Sequence, residues 1–93
     1  MQAILNNQII ADSNDTIEAG GYAYFPSSSV QLAWLEKSPK TASDRACPHG
    51  VQFYDAVLGG SRHARVAWSY EAPLAALRAI GGRFGFWEDV IVR

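Results

Sequence analysis

Short apolar runs, broken every few positions by Asn-Asn or Gly-Gly, set the rhythm of this chain. Gln2–Leu5 and Gln8–Ala11 flank Asn6-Asn7, and asparagine tolerates the positive φ that a two-residue hairpin turn demands. Thr16–Ala19 and Tyr22–Phe25 flank Gly20-Gly21 in the same way, a second hairpin signal. Val51–Leu58 alternates. Val51, Phe53, Asp55 and Val57 point to one face, and Gln52, Tyr54, Ala56 and Leu58 to the other. Gly59-Gly60 ends that strand, and Arg62–Tyr70 reads as its partner. Arg83–Trp87 and Val90–Val92, turned at Glu88-Asp89, read as a closing hairpin.

Two stretches carry helical signals. Ser28 and Gln31 have capping-box spacing, and the helix they open runs to about Lys37, with Val30, Ala33 and Trp34 on one stripe. Pro39 stops it. Trp34 is thereby expected to anchor this helix to the sheet. Pro73–Ile80 is the second, with Pro73 suited to the first turn and Gly81 to the C-terminal cap. No repeat or linker interrupts the 93 residues, so the expectation is a single β-rich domain over 1–93 with one or two short helices.

Composition sharpens this. A chain this short buries only about 60–65% of the surface of its unfolded form, so its core is thin. Three Trp, four Tyr and four Phe therefore carry much of it, at roughly 150–250 Å² each. The net charge is −1 and the basic residues are scattered, apart from a small knot at Arg62, His63 and Arg65. A nucleic-acid partner, which demands a basic stripe, is not expected. Cys47 is the only cysteine, so no intramolecular disulfide can form. Neither a signal-peptide pattern nor an apolar run of membrane-spanning length is visible, and the cytoplasm is the expected compartment.

Candidate chemistry centres on Cys47-Pro48-His49-Gly50. A thiolate needs a positive or hydrogen-bonding neighbour to fall below its usual pKa. On a strand, Arg45 and His49 would share the face of Cys47. The plainer alternative is that Cys47 is a small buried hydrophobe before a turn. Cys47, His49 and His63 could supply three metal ligands, but the Cys-x-His spacing is short and no Cys-x-x-Cys is present, so no tightly bound metal is expected and no cofactor is implied. Gly59-Gly60-Ser61 has the look of the glycine-serine turn of nucleotidyltransferases, yet the paired carboxylates that should follow are replaced by Tyr70-Glu71-Ala72-Pro73. The magnesium-holding acids are thus lacking. A polar-aromatic set remains: Glu18, Tyr22, Tyr24, Tyr54, Trp68 and Tyr70. These residues either pack a core or line a pocket in which phenols and one carboxylate orient a ligand.

Together the residues resemble the family catalogued as domain of unknown function 427. The marks are Glu18 ahead of Tyr24-Phe25-Pro26, Ser29-Val30, Cys47-Pro48 with Gly50, Tyr54, Trp68-Ser69-Tyr70 with Pro73, and the tail Ile80-Gly81-Gly82-Arg83-Phe84-Gly85-Phe86. The resemblance implies a mainly-β fold, a small tent-like or open-barrel arrangement of hairpins akin to zinc-binding exchange-factor and methionine sulfoxide reductase domains. Those relatives often hold zinc with two cysteine pairs, which this chain lacks. Family members usually carry an aromatic and then a lysine between the proline and glycine of the cysteine motif, where this chain has only His49.

Two functions follow. The first is a small-ligand or enzymatic pocket in which Cys47 and Glu18 are the candidate reactive groups, with Tyr24, His49, Tyr54, Trp68 and Tyr70 as candidate ligand contacts. The partner is then an unidentified small molecule. The second is a non-catalytic module that meets a protein partner through a sheet edge or helix. A homodimer is compatible with either, and neither calls for a membrane.

Overall fold

Left-handed backbone at Asn6 and Asn7 (φ 51° and 63°), at Gly20 and Gly21 (59° and 88°) and at Gly59 and Gly60 (53° and 80°) closes three two-residue hairpins at the three expected dipeptides. In the computed structural model, which describes residues 1–93, nine strands follow in chain order. They are β1 (Gln2–Leu5), β2 (Gln8–Asp12), β3 (Ile17–Ala19), β4 (Tyr22–Tyr24), β5 (Leu35–Lys37), β6 (Val51–Leu58), β7 (Ser61–Tyr70), β8 (Gly85–Phe86) and β9 (Ile91–Val92). They form three antiparallel sheets, ordered β2-β1-β9, β3-β4 and β5-β6-β7-β8, with no closed barrel. No helix is long and apolar enough to cross a membrane.

The helix expected over Ser28–Lys37 does not form. Residues Ser27–Ser29 and Leu32–Trp34 make two separate 3-10 turns, and Leu35–Lys37 pairs with β6 instead. The reason is tertiary. β-branched Val30 lies extended and bridges Ala11, and the Gln31 N–H donates to the Ile10 carbonyl at 2.8 Å. Sheet pairing at that point overrides the local capping signal. Trp34 consequently rests half-buried against the core, rather than fully enclosed beneath a helix.

The chain's α-helix lies elsewhere, at α1 (Ala42–Ala46), where Thr41 and Asp44 form a complete capping box. The second expected helix is a 3-10 helix over Ala75–Ile80, capped at Gly81. The closing hairpin is also corrected. Glu88 takes a positive φ of 59°, and there the chain crosses between sheets, so β8 pairs with β7 and β9 with β1.

The main core fills the space between the sheets around Phe25, Leu5, Ile10 and Val66, all fully enclosed. A smaller cluster of Tyr24, Val51, Trp68 and Ile80 lies apart from it. The β6–β7 ladder is interrupted between Tyr54 and Ala56. Tyr54 faces Ala67 and Ala56 faces His63, so β7 spends two more residues than β6 on this stretch. The bulge is folded around Asp55. Its carboxylate accepts the Arg65 backbone N–H at 3.0 Å and an Arg62 guanidinium N–H at 2.8 Å, and it also accepts the Ser38 hydroxyl. Arg65 takes a φ of 54° there. Such a conformation costs a non-glycine residue of order 1 kcal/mol, and the surrounding hydrogen bonds must over-determine it.

Candidate functional site

On an antiparallel ladder, directly paired residues share a face. In the β3–β4 hairpin, Ile17 pairs with Tyr24 and Ala19 with Tyr22, whereas Glu18 pairs with Ala23 on the opposite face. In β6–β7, Phe53 pairs with Trp68 and Val51 with Tyr70, whereas Tyr54 pairs with Ala67 behind them. The faces carrying Tyr22 and Tyr24, and Phe53, Trp68 and Tyr70, line an open cavity of about 350 Å³. Trp87 completes its wall, and Leu77 and Ile80 of the 3-10 helix reach it from the other side. No charged side chain lines it.

The walls hold one another edge to face. Tyr22 and Trp68 lie 4.9 Å apart at 87°, and Trp68 and Trp87 lie 5.2 Å apart at 64°. Phe53 and Trp87 stack at 5.8 Å. Offset and T-shaped pairs of this kind satisfy the ring quadrupoles and fix ring orientation. Gly85 makes the arrangement possible, because a Cβ there would lie 2.6 Å from the Trp68 ring.

Polar groups inside the cavity are few. The Trp68 indole N–H donates to the Tyr24 hydroxyl at 3.3 Å, and the Tyr24 and Tyr70 rings lie 6.3 Å apart. Burial, then the adjacent Tyr24 phenol, pushes the Tyr70 hydroxyl up to about 12, so it stays a neutral donor at physiological pH.

Behind the cavity lies an ionic brace. Arg65 grips Asp44 with two hydrogen bonds of 2.9 and 3.0 Å, and its guanidinium carbon sits 4.0 Å over the Phe53 ring. The Arg65 carbonyl accepts the Trp87 indole N–H at 2.6 Å. The Arg65 guanidinium holds the Asp44 carboxyl well below the usual carboxylate range, against the opposing effect of burial. For Asp55, burial raises the carboxyl, but hydrogen bonds from Ser38, the Arg65 N–H and Arg62 outweigh it and leave a net lowering. Fork geometry of this kind gives strong, oriented contacts, and here it sets the guanidinium over Phe53.

The candidates named from sequence thus separate. Tyr24, Trp68 and Tyr70 meet in the cavity. Glu18 is exposed on the other face of its hairpin and borders a smaller hollow of about 230 Å³ beside Met1 and Phe86. Tyr54 packs against Phe84, 5.2 Å away, where burial raises its hydroxyl, as does nearby Glu71. Cys47 is half-buried against the small aromatic cluster but does not line the cavity. It follows α1 directly, so Arg45 belongs to a helix and the strand face expected to join Arg45, Cys47 and His49 is absent. His49 accepts the Leu74 N–H at Nδ1 (3.0 Å) and sets its ring edge-on to Tyr70 at 5.9 Å, again outside the cavity lining.

Phe53 and Trp87 were not singled out from sequence. The alternation of β6 already sets Phe53 opposite Tyr54, which identifies it as the cavity-side ring once Trp68 is its partner. Trp87 has no comparable local signal, because its place depends on the bulge at Arg65. Groups of three or more His, Cys, Asp and Glu side chains suited to a metal ion do not occur.

Compared with known families, residues 1–92 match the model described as domain of unknown function, DUF427. No curated protein matches the chain.

Proposed function

The chain belongs to the DUF427 family, and from its own geometry we propose that it binds a small organic molecule in the aromatic cleft between the β3–β4 hairpin and the β6–β7 face. The observation that carries this is the cavity of about 350 Å³ walled by Tyr22, Tyr24, Phe53, Trp68, Tyr70 and Trp87. Binding sites for small molecules are concave, mostly apolar and supplied with a few convergent polar groups, at volumes of about 300–1,000 Å³. The cleft meets each of these conditions. Its size accommodates a ring system.

The binding is non-covalent. Cys47 and Glu18, the two candidate reactive groups, do not line the cleft, and the only hydroxyls that do are the phenols of Tyr22, Tyr24 and Tyr70. The cleft retains three of the expected contacts, Tyr24, Trp68 and Tyr70. His49 and Tyr54 act in this reading as supports for the surrounding packing.

A cleft-filling variant tests the proposal. Ala19 lines the cavity next to the Gly20-Gly21 turn, so Ala19→Trp occupies the space from an edge of the fold. Saturation-transfer NMR against a library of single- and fused-ring fragments should detect binders with the parent protein, and these signals should vanish with Ala19→Trp. A library with no binders, or binders indifferent to Ala19→Trp, would overturn it.

A further inference from the structure

Resting on the cleft as a ligand site, we infer that its ligand is an uncharged, flat ring system carrying one hydrogen-bond acceptor, held with that acceptor against the Tyr70 hydroxyl. Three observations lead there.

The first is charge. None of the residues lining the cleft is charged, and the guanidinium packed on its wall at Phe53, that of Arg65, is already committed to Asp44 by two hydrogen bonds. A phosphate or carboxylate moved from water into this site would find no cation, and an ammonium group would find no carboxylate. Burying an unpaired charge is far more costly than burying an uncharged ring. Aromatic faces attract cations, but Phe53 already has the Arg65 guanidinium 4.0 Å above it.

The second is shape. The cleft's rings are locked against each other at 87°, 64° and 26°, leaving faces and edges to be met by another flat ring. An aromatic guest gains the same offset and edge contacts that hold the walls.

The third is a count of protons. The Trp68 N–H is spent on the Tyr24 oxygen. The Tyr70 hydroxyl is hydrogen-bonded to that of Tyr24, and two neighbouring hydroxyls cannot donate to each other at the same time. One O–H therefore lacks a protein acceptor. Tyr24 is buried and Tyr70 is half-buried, so of this pair Tyr70 is the hydroxyl within a ligand's reach. It remains protonated at physiological pH and donates.

Four probes test the class: quinoline, naphthalene, N-methylquinolinium and naphthalene-2-sulfonate, with dissociation constants from equilibrium dialysis at pH 7.5. Quinoline should bind at least tenfold more tightly than either charged probe. Tyr70→Phe should erode the preference for quinoline over naphthalene by about fivefold, the worth of one neutral hydrogen bond, while leaving naphthalene itself unchanged. Equal or tighter binding of N-methylquinolinium or of the sulfonate would overturn the inferred class and leave the cleft standing as a site. An unchanged quinoline preference in Tyr70→Phe would overturn the assigned acceptor. Failure of all four probes to bind would overturn the cleft reading itself.

Discussion

Asp44 and Arg65 are joined by two hydrogen bonds, of 2.9 and 3.0 Å, although 21 residues separate them. The pair ties the N-terminal turn of α1 to the bulge of β7. Asp44 is almost wholly buried at 5% exposure, and its partner lies on Phe53 while the same residue's carbonyl holds Trp87. Removing one member strands the other's charge. Arg65→Ala should cost about 3 kcal/mol, read as a lower denaturant midpoint, and should weaken binding in the cleft by removing the guanidinium packed on Phe53, while the backbone contact to Trp87 remains. Stability within experimental error of the parent would show that the brace does not hold the fold.

The pH dependence follows from the two lowered carboxyls, Asp44 and Asp55. A group whose folded pKa lies below its unfolded value of about 3.9 contributes stability that is fully present above that value and is lost as pH falls toward the folded pKa. The protein should hold a flat unfolding free energy from about pH 7 to 5 and lose stability progressively below about pH 4. The loss should be smaller in Asp55→Asn, provided that variant folds. Urea denaturation as a function of pH checks this, and acid stability equal to that at neutral pH would contradict it.

Gly85 gives an independent handle on the cleft. A methyl group there would lie 2.6 and 2.7 Å from atoms of the Trp68 indole, so Gly85→Ala forces the ring or the strand to move. Overpacking of this kind costs about 1–3 kcal/mol. Thermal unfolding should shift down, and the tryptophan emission should change because Trp68 is displaced. A variant with the parent's melting temperature and emission spectrum would contradict the close approach.

Cys47 is predicted to be dispensable. It is half-buried beside the small cluster and is not part of the cleft lining. Cys47→Ala should fold, lose no more than about 1 kcal/mol, and bind ring fragments as the parent does. A variant that folds normally but has lost all binding would place the cysteine in the site.

Strand order and helix position were the parts hardest to read from sequence, for a physical reason. The three hairpins are legible because Asn6-Asn7, Gly20-Gly21 and Gly59-Gly60 carry their backbone conformation locally. The same local logic, applied at Ser28–Gln31, yields a helix that pairing between Val30 and Ala11 prevents. The signal for α1 was present, since Thr41-Ala42-Ser43-Asp44 has capping-box spacing, but it stands next to the Cys47 motif, which invited a strand. Within the site, Tyr24, Trp68 and Tyr70 were legible as strand aromatics. Glu18 was assigned to the same pocket although it is one residue out of phase with Ile17 and Ala19, which share the Tyr22 and Tyr24 face. Alternation alone excludes it once the hairpin register is known. Trp87 and the Arg65 brace depend on a bulge folded around Asp55, a long-range arrangement without a local pattern.

The most direct test uses the chain's three tryptophans. Trp68 and Trp87 line the cleft and Trp34 lies outside it, so their indole N–H resonances report separately on the site and on the rest of the fold. Quinoline added to ¹⁵N-labelled protein should move the Trp68 and Trp87 signals along saturable curves with one shared dissociation constant, and leave Trp34 in place. Three unmoved signals, or a drift of all three without saturation, would contradict the account.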